Sequence, residues 1–136
     1  MTRAALTVWE NRISPVYDSA NLMLIIEIEE KQVVTREHES FNAERTTLLV
    51  ERLSERGVSC FICGAISESP ARLIHSSGIQ LIPFISGNTD LILDTFAKGD
   101  PIVPRFLMPG CGPKRRKQRG KRGYPGCGRH TNAQYQ

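Results

Sequence analysis

Apolar residues follow two rhythms along this chain. Short dense runs bounded by turn residues predict buried strands, and apolar positions three and four apart predict helices. The dense runs fall at 4–9, 22–28, 58–63 and 79–84. A fifth run, 32–38, has only Val33 and Val34 among polar residues, which predicts an edge strand after a tight turn at Glu29, Glu30 and Lys31. Helical spacing places Thr46, Leu49, Val50 and Leu53 on one face over 42–56, with Gly57 as its stop. A shorter helix over 70–77 starts at Pro70 and ends at Gly78, with Ser67 or Ser69 available to cap it. A third, over 89–98, follows Ser86-Gly87-Asn88 and stops at Gly99 and Pro101.

The predicted order is β-β-β-α-β-α-β-α. Right-handed crossovers turn it into an α/β fold with a five-stranded mixed sheet in the order 3-2-1-4-5, strand two antiparallel, and three helices. The carboxyl ends of strands one, four and five then share one edge, the place where open α/β sheets bind ligands. The edge collects 9–14, 63–67 and 85–88. Beyond residue 100 the pattern is lost. The reading divides the chain into an α/β domain, 1–100, and a basic Gly/Arg/Lys-rich tail, 101–136, whose composition predicts disorder.

Charge sharpens that division. The total is only +4, yet residues 1–97 are net −5 and residues 98–136 net +9. An acidic body with a basic tail points the tail at nucleic acid, an acidic partner, an anionic ligand or the body itself. The run 114–124 can bind phosphates in a salt-dependent way, with Tyr124 its one stacking side chain. A flexible electrostatic arm is the plainer reading. No apolar run approaches a membrane span and no signal peptide is read, so the expected compartment is the cytoplasm, with reduced cysteines.

Three stretches then stand out: Arg12-Ile13-Ser14-Pro15-Val16-Tyr17-Asp18, Ile62-Cys63-Gly64-Ala65-Ile66-Ser67 and Phe106-Leu107-Met108-Pro109-Gly110-Cys111. Together they resemble the dinitrogenase iron-molybdenum cofactor biosynthesis family, small nitrogenase-cofactor carriers and their relatives, over about residues 3–110. The likeness is greater to relatives outside nitrogen fixation. The resemblance implies a ribonuclease H-like fold and a protein that is not an enzyme. It also implies binding of an iron-sulfur or molybdenum-iron-sulfur cluster, a molybdenum-copper one being an alternative, with a cluster donor or acceptor protein as partner.

The residues give that expectation a location. Cys63 ends a strand just before a helix start, where a soft thiolate can ligate copper or iron in a sulfide cluster. Packing under the loop is its structural alternative. Gly64 lets the backbone turn or approach a ligand. With Ser67 it places donors at a helix N-terminus, suited to an anion. Arg12 supplies a cation across the edge, or is a solvated surface residue. Ser14 donates a hydrogen bond, or shapes the Pro15 turn. Cofactor binding is therefore assigned to Arg12, Ser14, Cys63, Gly64 and Ser67, and metal ligation to Cys63 and Cys111.

Other candidates rank lower. Cys60 lies three residues from Cys63 on a strand, so the two side chains point to opposite faces, and Cys60 reads as core. Cys111 and Cys127 recur in Pro-Gly-Cys-Gly units, too few for a tetrahedral zinc site even with His130. His75 reads as an exposed helical residue, although the resemblance raises a histidine ligand; His38 reads as a surface strand residue, and Trp9 as core in preference to a cover over a ligand at the sheet edge. Asp18 and Glu10 raise a two-metal nuclease, but the first strand has no central acid and such sites need several converging carboxylates.

Overall fold

The computed structural model describes residues 2–109. The chain runs through β1 (Thr2–Trp9), β2 (Arg12–Ile13), β3 (Leu22–Glu29), β4 (Gln32–Ser40), α1 (Thr46–Glu55), β5 (Cys60–Ile62), α2 (Glu68–Ser76), β6 (Gln80–Ile82) and α3 (Thr89–Ala97). The sheet is open and mixed, with six strands. Five follow the path β4-β3-β1-β5-β6, and β2 pairs with β1 off that path. β3 runs antiparallel to its neighbours β1 and β4, whereas β1, β5 and β6 are mutually parallel.

The sixth strand stands where the sequence after Trp9 predicts a loop. Arg12 and Ile13 turn back on β1, with Trp9 opposite Arg12 and Val8 opposite Ile13. Two residues are too short for any periodicity to register. α1 also starts at Thr46 rather than 42, because Asn42 forms a turn of its own. Its side chain accepts from Glu44 N–H at 2.9 Å, and its carbonyl accepts from Arg45 N–H.

Strand alternation divides the core into two layers. Ala4, Leu6, Cys60 and Ile62 pack with Ile92 and Leu93 of α3, while Ala5, Phe61 and Cys63 pack with Leu49 and Leu53 of α1 and Ile74 of α2. β1 and β5 are thus covered on both faces, which explains their nearly unbroken apolar sequence. β4 is the exposed edge. Its charges are tied to the helices, Glu37 and Glu39 to Arg56, Glu39 also to Arg52, and Arg36 to Asp90. Such charged edges discourage pairing with another chain.

The folded unit continues past residue 100, where the sequence reading ended it. Ile102 and Phe106 are buried in the α3 layer, Leu107 bridges Ile85, and Met108 N–H donates to Phe84 O at 2.8 Å. The Gly99-Asp100-Pro101 break ends a helix, but two well-spaced apolar residues beyond it still reach the core. The rest of the expected tail, including 114–124, lies outside the described residues. Among the described residues no helix is long and apolar enough to cross a membrane.

Candidate ligand edge

The parallel register of β1, β5 and β6 brings their carboxyl ends together, and α2 and α3 begin there. A strap of residues 14–19 crosses this edge. Ser14 N–H donates to Thr7 O at 3.0 Å, Ala65 N–H to Pro15 O at 2.8 Å, and Tyr17 N–H to Ala65 O at 2.7 Å. Val16 pairs with Ala65 as an extra rung beyond the end of β5. The strap is anchored by Tyr17, whose ring is completely buried, stacked on Phe41 and edge-on to Phe61, with its hydroxyl 2.9 Å from Thr46 Oγ1. Burial pushes the Tyr17 hydroxyl up to about 12, against the hydrogen bond to Thr46.

The strap changes what the expected site residues do. Gly64 makes a close approach, but to the chain itself. A Cβ there would lie 2.4 Å from the carbonyl oxygens of both Ser14 and Pro15. Ser14 is buried and held by its backbone. Cys63 has no exposed surface, and burial, with the charge of Asp18 adding to it, pushes its thiol well above the usual range. Of the two readings of Cys63, packing under the loop is the one this conformation shows: the strap and the α1–α2 layer enclose it. Cys60 packs on the opposite face of the sheet and is likewise raised, to about 12, by burial.

At the start of α2, whose N–H groups are expected to suit an anion, Asp18 holds the residue before the first turn, its Oδ1 accepting from Ser67 Oγ at 3.0 Å and its Oδ2 from Ser67 N–H at 3.3 Å. A carboxylate at a helix N-terminus is favourable electrostatically. Ser67 is the residue before the first turn, but its side chain makes no cap of its own. The Asp18 carboxylate, 49 residues away in sequence, accepts from that side chain and from the Ser67 N–H instead. No local pattern in 67–70 signals such a contact.

Arg12 is solvent-exposed and pairs across to Asn88, so it lies between the ends of β1 and α3. Trp9, expected in the core, is 56% exposed beside it. The short β2 ladder turns both side chains away from the packed layers. Glu10 sits in the two-residue turn between β1 and β2 with φ 60°. His75 is exposed in the last turn of α2, away from the edge, and His38 is exposed on β4. Cys111, the other expected ligand, lies outside the described residues, although the chain reaches residue 109 from this edge through the Met108–Phe84 bond. Among the described residues no three His, Cys, Asp or Glu side chains converge as a metal site.

Two features had no sequence signal. Phe84 follows β6 with φ 62°, a region bulky residues seldom enter. Its N–H donates to Gly64 O at 2.9 Å and its carbonyl accepts from Met108. Such strain, of order 1–2 kcal/mol, concentrates at functional sites. Thr7 is completely buried, and among the described residues its Oγ1 has no hydrogen-bond partner. It follows Leu6 as Cys63 follows Ile62, and those two are paired in register, so Thr7 and Cys63 are neighbours on the Tyr17 side of the sheet.

Comparison with known proteins adds to this geometry. A family model described as dinitrogenase iron-molybdenum cofactor matches residues 1–99. Among curated proteins no match is found. The crystal structure of PH0822 superposes with a TM-score of 0.64 at 17% identity, over 73% of this chain and 91% of that one. A Methanocaldococcus jannaschii protein provisionally described as a dinitrogenase gives 0.57 at 18%, over 72% and 89%. A Thermotoga protein provisionally described as NifB gives 0.57 at 19%, over 73% and 90%. At these identities the likeness is one of fold.

Proposed function

This chain belongs to the dinitrogenase iron-molybdenum cofactor family, and from that premise we propose that it binds and carries a metal-sulfur cluster, or a precursor of one, without catalysing a chemical step. The observation that carries the proposal is the extent of the family match, residues 1–99, which takes in every strand and helix that shapes the carboxyl edge. The cluster is cargo in this reading. Thiometallate and iron-sulfur species are anionic with many sulfide acceptors, so a cation and hydrogen-bond donors suit them. Arg12 and Ser67 are the exposed groups of that kind among the expected residues. Cys63 joins them as a soft ligand only when the strap is displaced.

The family premise supports partners within nitrogenase-cofactor machinery, a donor or acceptor of the cluster. The test is anaerobic reconstitution of the full chain with iron and sulfide, with and without molybdate, followed by metal analysis and visible absorption. The expected result is uptake of iron, or iron with molybdenum, that falls several-fold in Arg12→Ala. A colourless protein with no bound iron, molybdenum or copper would remove the proposal.

A further inference from the structure

We infer that Asp18 is a latch: its carboxylate on Ser67 holds the 14–19 strap shut over Cys63, and an incoming anion that takes its place at the α2 N-terminus opens the thiol to the edge. The inference rests on reading this edge as the cargo site and adds how that site is gated. The strap has two side-chain ties. Tyr17 is buried and neutral, with its hydroxyl on Thr46, and belongs to the core. Asp18 is different in kind, because both Ser67 contacts are solvent-exposed and depend on charge. An exposed charged contact is the one that a competing anion can take over.

The closed state also leaves a group unsatisfied. Thr7 Oγ1, one residue past the Leu6–Ile62 pair that Cys63 also follows, is buried and has no hydrogen-bond partner among the described residues. A buried orphan hydroxyl disfavours the closed arrangement. Displacing the strap uncovers, at one place, the Cys63 thiol, the Thr7 hydroxyl, the Ala65 N–H now given to Pro15, and the Ser67 N–H and hydroxyl now given to Asp18. That set is one soft ligand ringed by donors, the chemistry a sulfide-rich anion requires. Gly64 is what allows the strap to close tightly, since its missing side chain leaves room for the Ser14 and Pro15 carbonyls.

The protein contains its own control for the test. Cys60 is buried on the opposite side of the sheet, so it reports global unfolding, whereas Cys63 reports the strap. The native full chain is alkylated with iodoacetamide and each cysteine is followed by peptide mass spectrometry. In Asp18→Ala the Cys63 rate is expected to rise about tenfold, the scale of losing a charge-assisted hydrogen bond, with Cys60 unchanged. Sulfate, compared with chloride at matched ionic strength, is expected to accelerate Cys63 in the wild type and to have no effect in Asp18→Ala. An unchanged Cys63 rate in the variant, or Cys60 rising in step with Cys63, overturns the latch. A wild-type rate indifferent to sulfate overturns the anion exchange. No cluster enters this assay, so its failure is distinct from failure of metal uptake.

Discussion

Gly64 and Pro15 meet backbone to backbone, and a methyl group on Gly64 would lie 2.4 Å from the Pro15 carbonyl oxygen. The contact fastens the strap to the end of β5 through the Ala65–Pro15 hydrogen bond next to it. Real Cβ atoms do not approach a carbonyl oxygen so closely, so Gly64→Ala must push the strap outward or break that bond. The expected cost is about 2–4 kcal/mol in urea unfolding, the range for overpacking combined with a lost buried hydrogen bond. Gly78→Ala is a useful comparison, because among the described residues its Cβ would meet nothing within 4 Å, leaving its φ of 92° to oppose the change. A Gly64→Ala variant as stable as the wild type would show that the strap is loosely held.

Alkaline pH should destabilise the fold in a defined window. The Cys60 thiol is raised from 9.0 to about 12 and the Tyr17 hydroxyl from 10.0 to about 12, both chiefly by burial. Below pH 9 these groups are protonated in folded and unfolded chains alike, and their contribution is fully present. As pH rises from 9 to 12 the unfolded chain releases these protons while the folded one retains them, so stability falls. The urea midpoint measured against pH should show this decline. Tyr17→Phe should make it shallower between pH 10 and 12.

The turn between β3 and β4 should accept a stabilising change. Glu30 and Lys31 have φ values of 53° and 64°, both left-handed, as a two-residue turn of this kind demands. Neither residue type favours that region, and glycine and asparagine do. Glu30→Asn with Lys31→Gly should raise stability by about 0.5–1 kcal/mol, net of the greater freedom glycine has when unfolded. A thermal melt shows it as a rise of a few degrees, with no effect on the distant carboxyl edge.

Phe106 tests where the folded unit ends. It is buried at 8% exposure in the α3 layer, and its carbonyl accepts from Ser86 N–H at 2.8 Å. Phe106→Ala should destabilise the chain by about 3 kcal/mol, as large-to-small changes in a packed core do. Truncation after residue 109 should cost far less, because it keeps Phe106 and every other core position among the described residues. If Phe106→Ala were neutral, residues 101–109 would not belong to the domain core.

What was legible in the sequence follows from periodicity. Dense apolar runs such as 22–28 and 58–63 place strands because a strand covered on both faces has no polar positions to spare. The spacing of Thr46, Leu49 and Leu53 places α1 for the same kind of reason. The opposite directions of Cys60 and Cys63 follow from strand alternation alone, and the two sulfurs do lie in different core layers. The residues of the edge could also be listed in advance, since the order of strands and helices brings 9–14, 63–67 and 85–88 together.

What those residues do there was decided only in three dimensions. Asp18 holds Ser67 at the start of α2 from 49 residues away, Gly64 makes room for Pro15, and the same strap that carries Ser14 helps to bury Cys63. Trp9, apolar by type, is exposed because a two-residue strand turns it outward. Periodicity reports which side of its own element a residue occupies. Whether a thiol at a strand's end is open or enclosed depends on a segment that crosses it from elsewhere in the chain, and local sequence carries no record of that crossing.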